Sequence, residues 1–236
     1  AGRVQAGGRA VSKPGILVAE GAELRVEAPP RYVSRGGEKL EHALRTFGLD
    51  VSGLVAADIG SSTGGFTDCL LQRGAKKVYA VDVDTKQLDW KLRNDPRVVT
   101  VEKNARNLGP GDLAEPPDFF TVDVSFISLL KILPALKQIP GGWLLLALIK
   151  PQFEAGRREV GKKGVVRDPA VHAAVLERVV RGARETGLAL RGLIRCSTRG
   201  QRGNVEFFGF WDRGRRGLAG ESEAIWIKEA TSHENH

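Results

Sequence analysis

Val55-Ala56-Ala57-Asp58-Ile59-Gly60-Ser61-Ser62-Thr63-Gly64-Gly65 decides the fold of this 236-residue chain. An apolar strand runs into a turn of small residues whose end can open a helix, and Asp82 closes the next apolar run. This is the layout of a cofactor crevice. A parallel sheet leaves its carboxyl ends open where the strand order reverses, glycines admit a ligand to the backbone, and an acid after the second strand can accept ribose hydroxyl protons. A dinucleotide fingerprint needs G-x-G-x-x-G, but Ser61, Ser62 and Thr63 separate Gly60 from Gly64-Gly65, so nicotinamide and flavin fit poorly. A P-loop needs Lys followed by Ser or Thr straight after its second glycine, where Phe66 and Thr67 stand. S-adenosylmethionine remains, since it has no pyrophosphate to seat. The plain alternative is a tight turn in an ordinary α/β domain, and Asp82 at the expected offset weighs against it.

Working outward, the apolar pattern predicts strands near Leu54 to Ile59, Lys77 to Val83, Arg97 to Glu102, Phe119 to Val124, Trp143 to Ile149, Leu188 to Arg195 and Val205 to Trp211. Helices are predicted at Gly65 to Arg73, Ile127 to Lys137 and Pro169 to Thr186, the last with Asp168 as N-cap and Pro169 at the first helical position. A helical period also runs from Ser34 through Leu40, Ala43, Leu44 and Phe47 to Gly48. Such alternation implies an α/β fold with a mostly parallel sheet. Residues 1 to 28 read instead as short strands at Val4, Val11, Ile16 to Val18 and Leu24 to Val26 between glycine turns, and Pro29-Pro30 marks a boundary.

Composition narrows the classes of function. The longest uninterrupted apolar run, Trp143 to Ile149, is far short of a membrane span, so no membrane partner is expected. No charged start followed by an apolar stretch opens the chain, so no secretory signal is expected. Cys69 and Cys196 stand in no metal or redox spacing and read as small buried residues, which fits a reducing cytoplasm. The chain begins at Ala1 and contains no Met, from which a longer N-terminus, or methionines left unwritten, is expected. The net charge is +8, but Lys150 to Arg216 hold 16 Lys plus Arg against 7 Asp plus Glu, a surplus of nine, which leaves the rest at minus one. A basic face in the C-terminal third suits a polyanion, although an arginine-rich proteome would produce the same balance.

Four ionisable residues fall where an open sheet presents its chemistry. Asp123 follows one apolar strand and Lys150 its neighbour, with Pro151 stopping the chain just beyond. Glu206 lies early in the last strand among aromatics, where a carboxylate is costly without a partner. Lys39 sits near the start of the helix after the boundary. Taken alone, Asp123 and Lys150 could be a structural ion pair and Lys39 a surface lysine.

At these residues the chain resembles a known family. Tyr32-Val33-Ser34-Arg35-Gly36-Gly37-Glu38-Lys39-Leu40, the turn from Asp58 to Asp68, Val122-Asp123-Val124-Ser125-Phe126-Ile127-Ser128, Lys150-Pro151-Gln152-Phe153-Glu154 and Gly203-Asn204-Val205-Glu206 are similar to the TlyA family of hemolysin-named, FtsJ-like RNA methyltransferases. The resemblance spans roughly residues 4 to 212. It implies a Rossmann-like S-adenosylmethionine-dependent methyltransferase fold, with helices on both faces of the sheet, that methylates a ribose 2'-hydroxyl of cytidine in ribosomal RNA. It divides the chain into the closing strands of an S4-like RNA-binding domain (1–28), a linker (29–33), a methyltransferase domain (34–215) and a C-terminal tail (216–236). The resemblance implies that the first helices of the S4 domain are absent from that segment, from which a reduced affinity for RNA is expected.

The family's Lys-Asp-Lys-Glu tetrad carries over to Lys39, Asp123, Lys150 and Glu206. Methyl transfer needs an acceptor oxygen held in line behind the methyl group and relieved of its proton. Lys150 acts as general base if its amine is neutral; a second cation at Lys39 favours proton loss, while Asp123 and Glu206 oppose it and orient the amine. The alternative is that Lys150 stays charged and only steers the hydroxyl. The resemblance and the turn together place the cofactor against Asp58, Gly60, Ser61, Gly64, Gly65, Phe66, Asp82, Val83, Asn104 and Asp123. Arg35 and the basic loop bearing Arg157, Arg158, Lys162, Lys163 and Arg167 are expected to grip phosphates of ribosomal RNA or a ribosomal subunit.

Two other classes of function compete. A non-catalytic RNA-binding module would have no use for the tetrad. A membrane-active hemolysin would need a long apolar helix or amphipathic spanning strands, and neither pattern is present. Among enzymes, a base methyltransferase is disfavoured because Asp123-Val124-Ser125-Phe126 departs from the Asn/Asp-Pro-Pro-Tyr type of amino-methylating site, and no cysteine stands where a pyrimidine C5 nucleophile would be needed.

Overall fold

The computed structural model describes residues 4–13, 15–26, 28–156, 158–161, 163–214 and 220–232. The chain divides into two compact units, Ala1–Arg31 and Tyr32–His236, with the break inside the expected linker. In the first unit β1 (Val4–Ala6), β2 (Arg9–Val11) and β3 (Leu24–Val26) form an antiparallel sheet in the order β2-β1-β3. The strand expected at Ile16 to Val18 does not form: Leu17 is 98% exposed, so extending this stretch would bury nothing.

The second unit runs through α1 (Arg35–Thr46), β4 (Val55–Ile59), α2 (Gly65–Gln72), β5 (Lys77–Asp82), α3 (Trp90–Arg93), β6 (Val98–Glu102), β7 (Phe119–Val122), α4 (Leu133–Leu136), β8 (Leu144–Ile149), α5 (Pro151–Glu154), α6 (Pro169–Glu185), β9 (Ala189–Arg195), β10 (Phe207–Asp212) and α7 (Gly220–Thr231). Its seven-stranded sheet has the order β6-β5-β4-β7-β8-β10-β9; β10 is antiparallel to both neighbours and the other pairings are parallel. All five residues of β4 are buried, as a central strand covered on both faces requires.

Two apolar layers cover the sheet. Leu40 and Leu44 of α1 and Leu70 of α2 pack with Ala56, Val78 and Phe208 on one side. Leu176 and Val179 of α6 pack with Ile59, Val81, Phe120 and Leu145 on the other. Residues expected to form a tail contribute to this second layer, because α7 buries Ile227 and Ala230 there. The single helix expected over Ile127 to Lys137 is instead a 3-10 turn (Leu129–Lys131) followed by α4. Pro134 explains the break, since it supplies no N–H and its ring crowds the carbonyl four residues back.

From β4 the chain moves outward to β5 and β6, then returns to β7 on the other side of β4. The strand order therefore reverses between β4 and β7. There the Asp123 N–H donates to the Ile59 carbonyl at 2.9 Å, and the chain ends diverge beyond it to leave a crevice.

Candidate active site

The glycine turn forms one wall of this crevice. The Gly60 and Ser61 N–H groups both donate to the Val81 carbonyl, at 2.8 and 3.1 Å. Gly60 has φ +85°, and a Cβ there would lie 2.6 Å from the Asp123 carbonyl oxygen, so only glycine lets the turn approach β7 this closely. Gly65 opens α2 in contact with α1: a Cβ on it would stand 2.9 Å from the Gly37 nitrogen. That close approach brings α1, and with it Lys39, to the crevice.

Lys39 Nζ lies 2.6 Å from Glu206 Oε2, with Glu206 only 3% exposed. The other oxygen, Oε1, accepts from Gln152 Nε2 at 3.2 Å. The partner that a carboxylate among aromatics demands is thus an ammonium from α1 and an amide from α5. Glu206 itself precedes β10 rather than lying within it. Lys150 Nζ lies 2.6 Å from Asp123 Oδ1 and donates to Ser125 Oγ at 3.0 Å. The approach to Asp123 Oδ1 is an ion pair without hydrogen-bond alignment. Both Lys–carboxylate pairs line one cavity of about 480 Å³, together with Arg35, Gly60, Ser61, Gly65 and Phe66.

Other residues predicted for the site lie outside this cavity lining. Asp58 is fully buried beneath the turn; Thr67 Oγ1 donates to its Oδ2 at 2.7 Å and Thr121 Oγ1 to its Oδ1 at 3.0 Å. Burial outweighs these hydroxyls and, with the nearby Asp123 charge adding to it, raises the Asp58 carboxyl to a pKa of about 7. Asp82 accepts from the Ser62 and Asp84 N–H groups at 2.8 and 3.2 Å, so it braces the turn. Gly64, with φ +96°, ends the turn against Leu88 and Leu92. Val83 is exposed, and the exposed Asn104 caps a 3-10 turn by accepting from the Arg106 N–H at 3.0 Å. Arg158, Lys163 and Arg167 are exposed or at the surface after α5, while Arg157 and Lys162 fall outside the described residues.

Four residues without an expected site role, all within the segments Val122 to Ser128 and Lys150 to Glu154, also join the site. Gln152 is one, and its position two residues after Lys150 was the available signal. Ser125 is another. Glu154 accepts from Ser128 Oγ at 2.6 Å and the Leu129 N–H at 2.7 Å, which fastens the segment after Asp123 to the helix after Lys150. Phe126 holds φ +64° and is 87% exposed at the mouth, its ring centroid 5.0 Å from that of Phe153. An aromatic in this left-handed conformation is a strained exception that local pattern does not reveal.

An open α/β sheet with a glycine turn at its switch point and paired lysines and carboxylates at its carboxyl ends defines a Rossmann-like methyltransferase. A family model described as FtsJ-like methyltransferase matches residues 32–213, and the chain belongs to that family. It is 51% identical over 212 residues to a Bacillus subtilis protein provisionally named rRNA methyltransferase YqxC, covering 88% of this chain and 75% of that one. It is 43% identical over 212 residues to the 16S/23S rRNA (cytidine-2'-O)-methyltransferase TlyA of Mycobacterium tuberculosis, covering 88% and 79%. A solved structure from Streptococcus thermophilus with a provisional hemolysin name superposes with a TM-score of 0.81 at 44% identity, covering 97% and 86%. Among the described residues no helix is long and apolar enough to cross a membrane.

Proposed function

We propose that this chain methylates a ribose 2'-hydroxyl of ribosomal RNA, on cytidine, with S-adenosylmethionine as methyl donor and Lys39, Asp123, Lys150 and Glu206 as the working residues. The observation that carries this reading is the meeting of two Lys–carboxylate pairs, from four separate segments, in one cavity beside the glycine turn.

The residues present fit the donor. Ser61 Oγ is buried without a hydrogen-bond partner among the described residues, and Gly60 and Gly65 present bare backbone at the two ends of the turn. Gly60, Ser61, Gly65 and Phe66 would hold it, with Asp82 fixing the turn. When bound, the donor supplies an electrophilic methyl group on a sulfonium. Lys150 receives the acceptor hydroxyl, and Asp123 and Ser125 hold its amine in place. Whether it accepts the proton or only directs the hydroxyl, its position depends on the Asp123 contact. Lys39 and Glu206 line the same cavity, with Gln152 holding Glu206 Oε1. Phe126 offers an exposed ring on which an unstacked base can rest. The basic loop containing Arg158, Lys163 and Arg167 adds phosphate contacts, and β1 to β3 serve as the closing strands of an S4-like RNA-binding domain.

The test is incubation with tritiated S-adenosylmethionine and ribosomal subunits, with Lys150→Ala as control and the label mapped by resistance to alkaline cleavage. Label on a ribose that disappears in the variant is the expected result. Label on a base would overturn the reading.

A further inference from the structure

A second cavity, of about 410 Å³, lies at the end of β9 and is lined by Arg167, Arg195, Arg199 and Arg202, with no Asp or Glu among the described residues of its lining. Outside this cavity Arg73, Arg97, Arg184 and Arg191 each pair with a carboxylate. Among the described residues none of the four lining arginines has such a partner. Arg199 donates to the Gly203 carbonyl and Arg202 to the Lys163 carbonyl, both at 3.1 Å, contacts that fix position and leave the charge unanswered. Gathering four guanidinium groups without an acid is unfavourable until an anion joins them, and their fork geometry matches a phosphate.

The cavity is coupled to the active site by the loop between them. Arg199 and Arg202 line both cavities. A Cβ added at Gly200 would overlap the Glu206 carboxylate, so the backbone of this loop rests directly on the residue that pairs with Lys39. Arg202 holds φ +56°, a conformation disfavoured for arginine, and its bond to Lys163 helps maintain it.

We propose that this arginine cavity binds a backbone phosphate of the RNA strand next to the target ribose, so that one loop sets both the register of the strand and the position of Glu206. The proposal rests on the RNA methylation reading above and adds a phosphate subsite to it.

The experiment measures binding of a fluorescein-labelled RNA hairpin by anisotropy over a series of KCl concentrations. It compares the full chain with Arg167→Gln, Arg167→Gln/Arg195→Gln and, as a charge control away from this cavity, Arg181→Gln. The double variant is expected to bind about tenfold more weakly, with the slope of log K against log[KCl] reduced by about 1.5, and Arg167→Gln by about half as much. Arg167 is exposed, so the single variant gives a result even if the double variant folds poorly. Arg181→Gln is expected to match the unaltered chain. Equal losses in the double variant and Arg181→Gln would reduce the effect to net charge and overturn the proposal. So would broadening of the phosphorus resonance of inorganic phosphate that depends on these arginines while RNA affinity does not. If arginine-dependent RNA binding appears but tritium never reaches a ribose, the methylation reading fails and the phosphate subsite stands.

Discussion

Asp58, beneath the glycine turn, and Glu206, in the cavity lining, are almost equally buried, yet they are satisfied in opposite ways. Two threonine hydroxyls answer Asp58, and no cation approaches it closely enough to form a recorded ion pair among the described residues. An ammonium and an amide answer Glu206. A hydroxyl can donate to a carboxylate or accept from a carboxylic acid, so the Asp58 site tolerates a proton and holds the turn in either state. The Glu206 site presents only donors and is organised around a charge. Buried acids on a single sheet can therefore serve different ends, one bracing the fold under the turn and the other setting an electrostatic wall.

The largest effect that would sharpen this contrast comes from Glu206→Ala. It leaves Lys39 half-buried without its anion, which we expect to lower methyl transfer by at least about a hundredfold and stability by about 3 kcal/mol. Single-turnover kinetics and denaturant unfolding measure the two losses. Retention of full activity would remove Glu206 from the mechanism.

Asp58→Asn tests the other side through pH. The folded-state pKa of about 7 lies above the unfolded value, so between about pH 4 and 7 the native state holds the extra proton and stability declines as pH rises. The ionisation penalty is fully developed above about pH 7. The Asn variant lacks this decline, and across the window the unaltered protein should lose a few kcal/mol relative to it. Parallel stability curves from urea titrations would show that Asp58 does not take up the proton.

Thr67→Val removes one of the two hydroxyls and should cost about 1 to 2 kcal/mol at pH 8, with a smaller loss at pH 5, where Asp58 is protonated. A pH-independent loss would mean that the threonine matters only for packing. The smallest effect is expected for Gln152→Ala, which frees Glu206 Oε1 but keeps its pair with Lys39. Activity should fall about fivefold and stability by about 1 kcal/mol, as read from initial rates and thermal unfolding. A loss as large as that of Glu206→Ala would assign Gln152 a direct role.

The sheet was largely legible because its strands bury continuous apolar runs, and the predicted strand ends fall within two residues of the observed ones. The proposed tetrad rests on the resemblance and on the apolar runs that precede Asp123 and Lys150, and its four residues line one cavity. Local pattern was less informative where tertiary contacts decide. The partner of Glu206 comes from a helix 167 residues earlier. Asp58 closely follows apolar residues in the same motif as the glycines, but the threonines that occupy its oxygens cannot be assigned from spacing. The helix at Gly220–Thr231 begins after a glycine- and charge-rich stretch and gains its place by burying Ile227 and Ala230.

The reversed direction of β10 has a consequence for how this active site can diverge. The strands β4, β5, β6, β7 and β8 run parallel, with their carboxyl ends at the edge of the sheet that holds the crevice. β10 reaches it with its amino end, so the residues joining it to β9 form a hairpin tip at the rim. Hairpin tips accept insertions and substitutions readily. Residues 197–203 can therefore be remodelled to suit a different RNA shape, provided that Gly200 keeps its contact with Glu206 and the buried Asn204 its bonds to Val166 and Gly164.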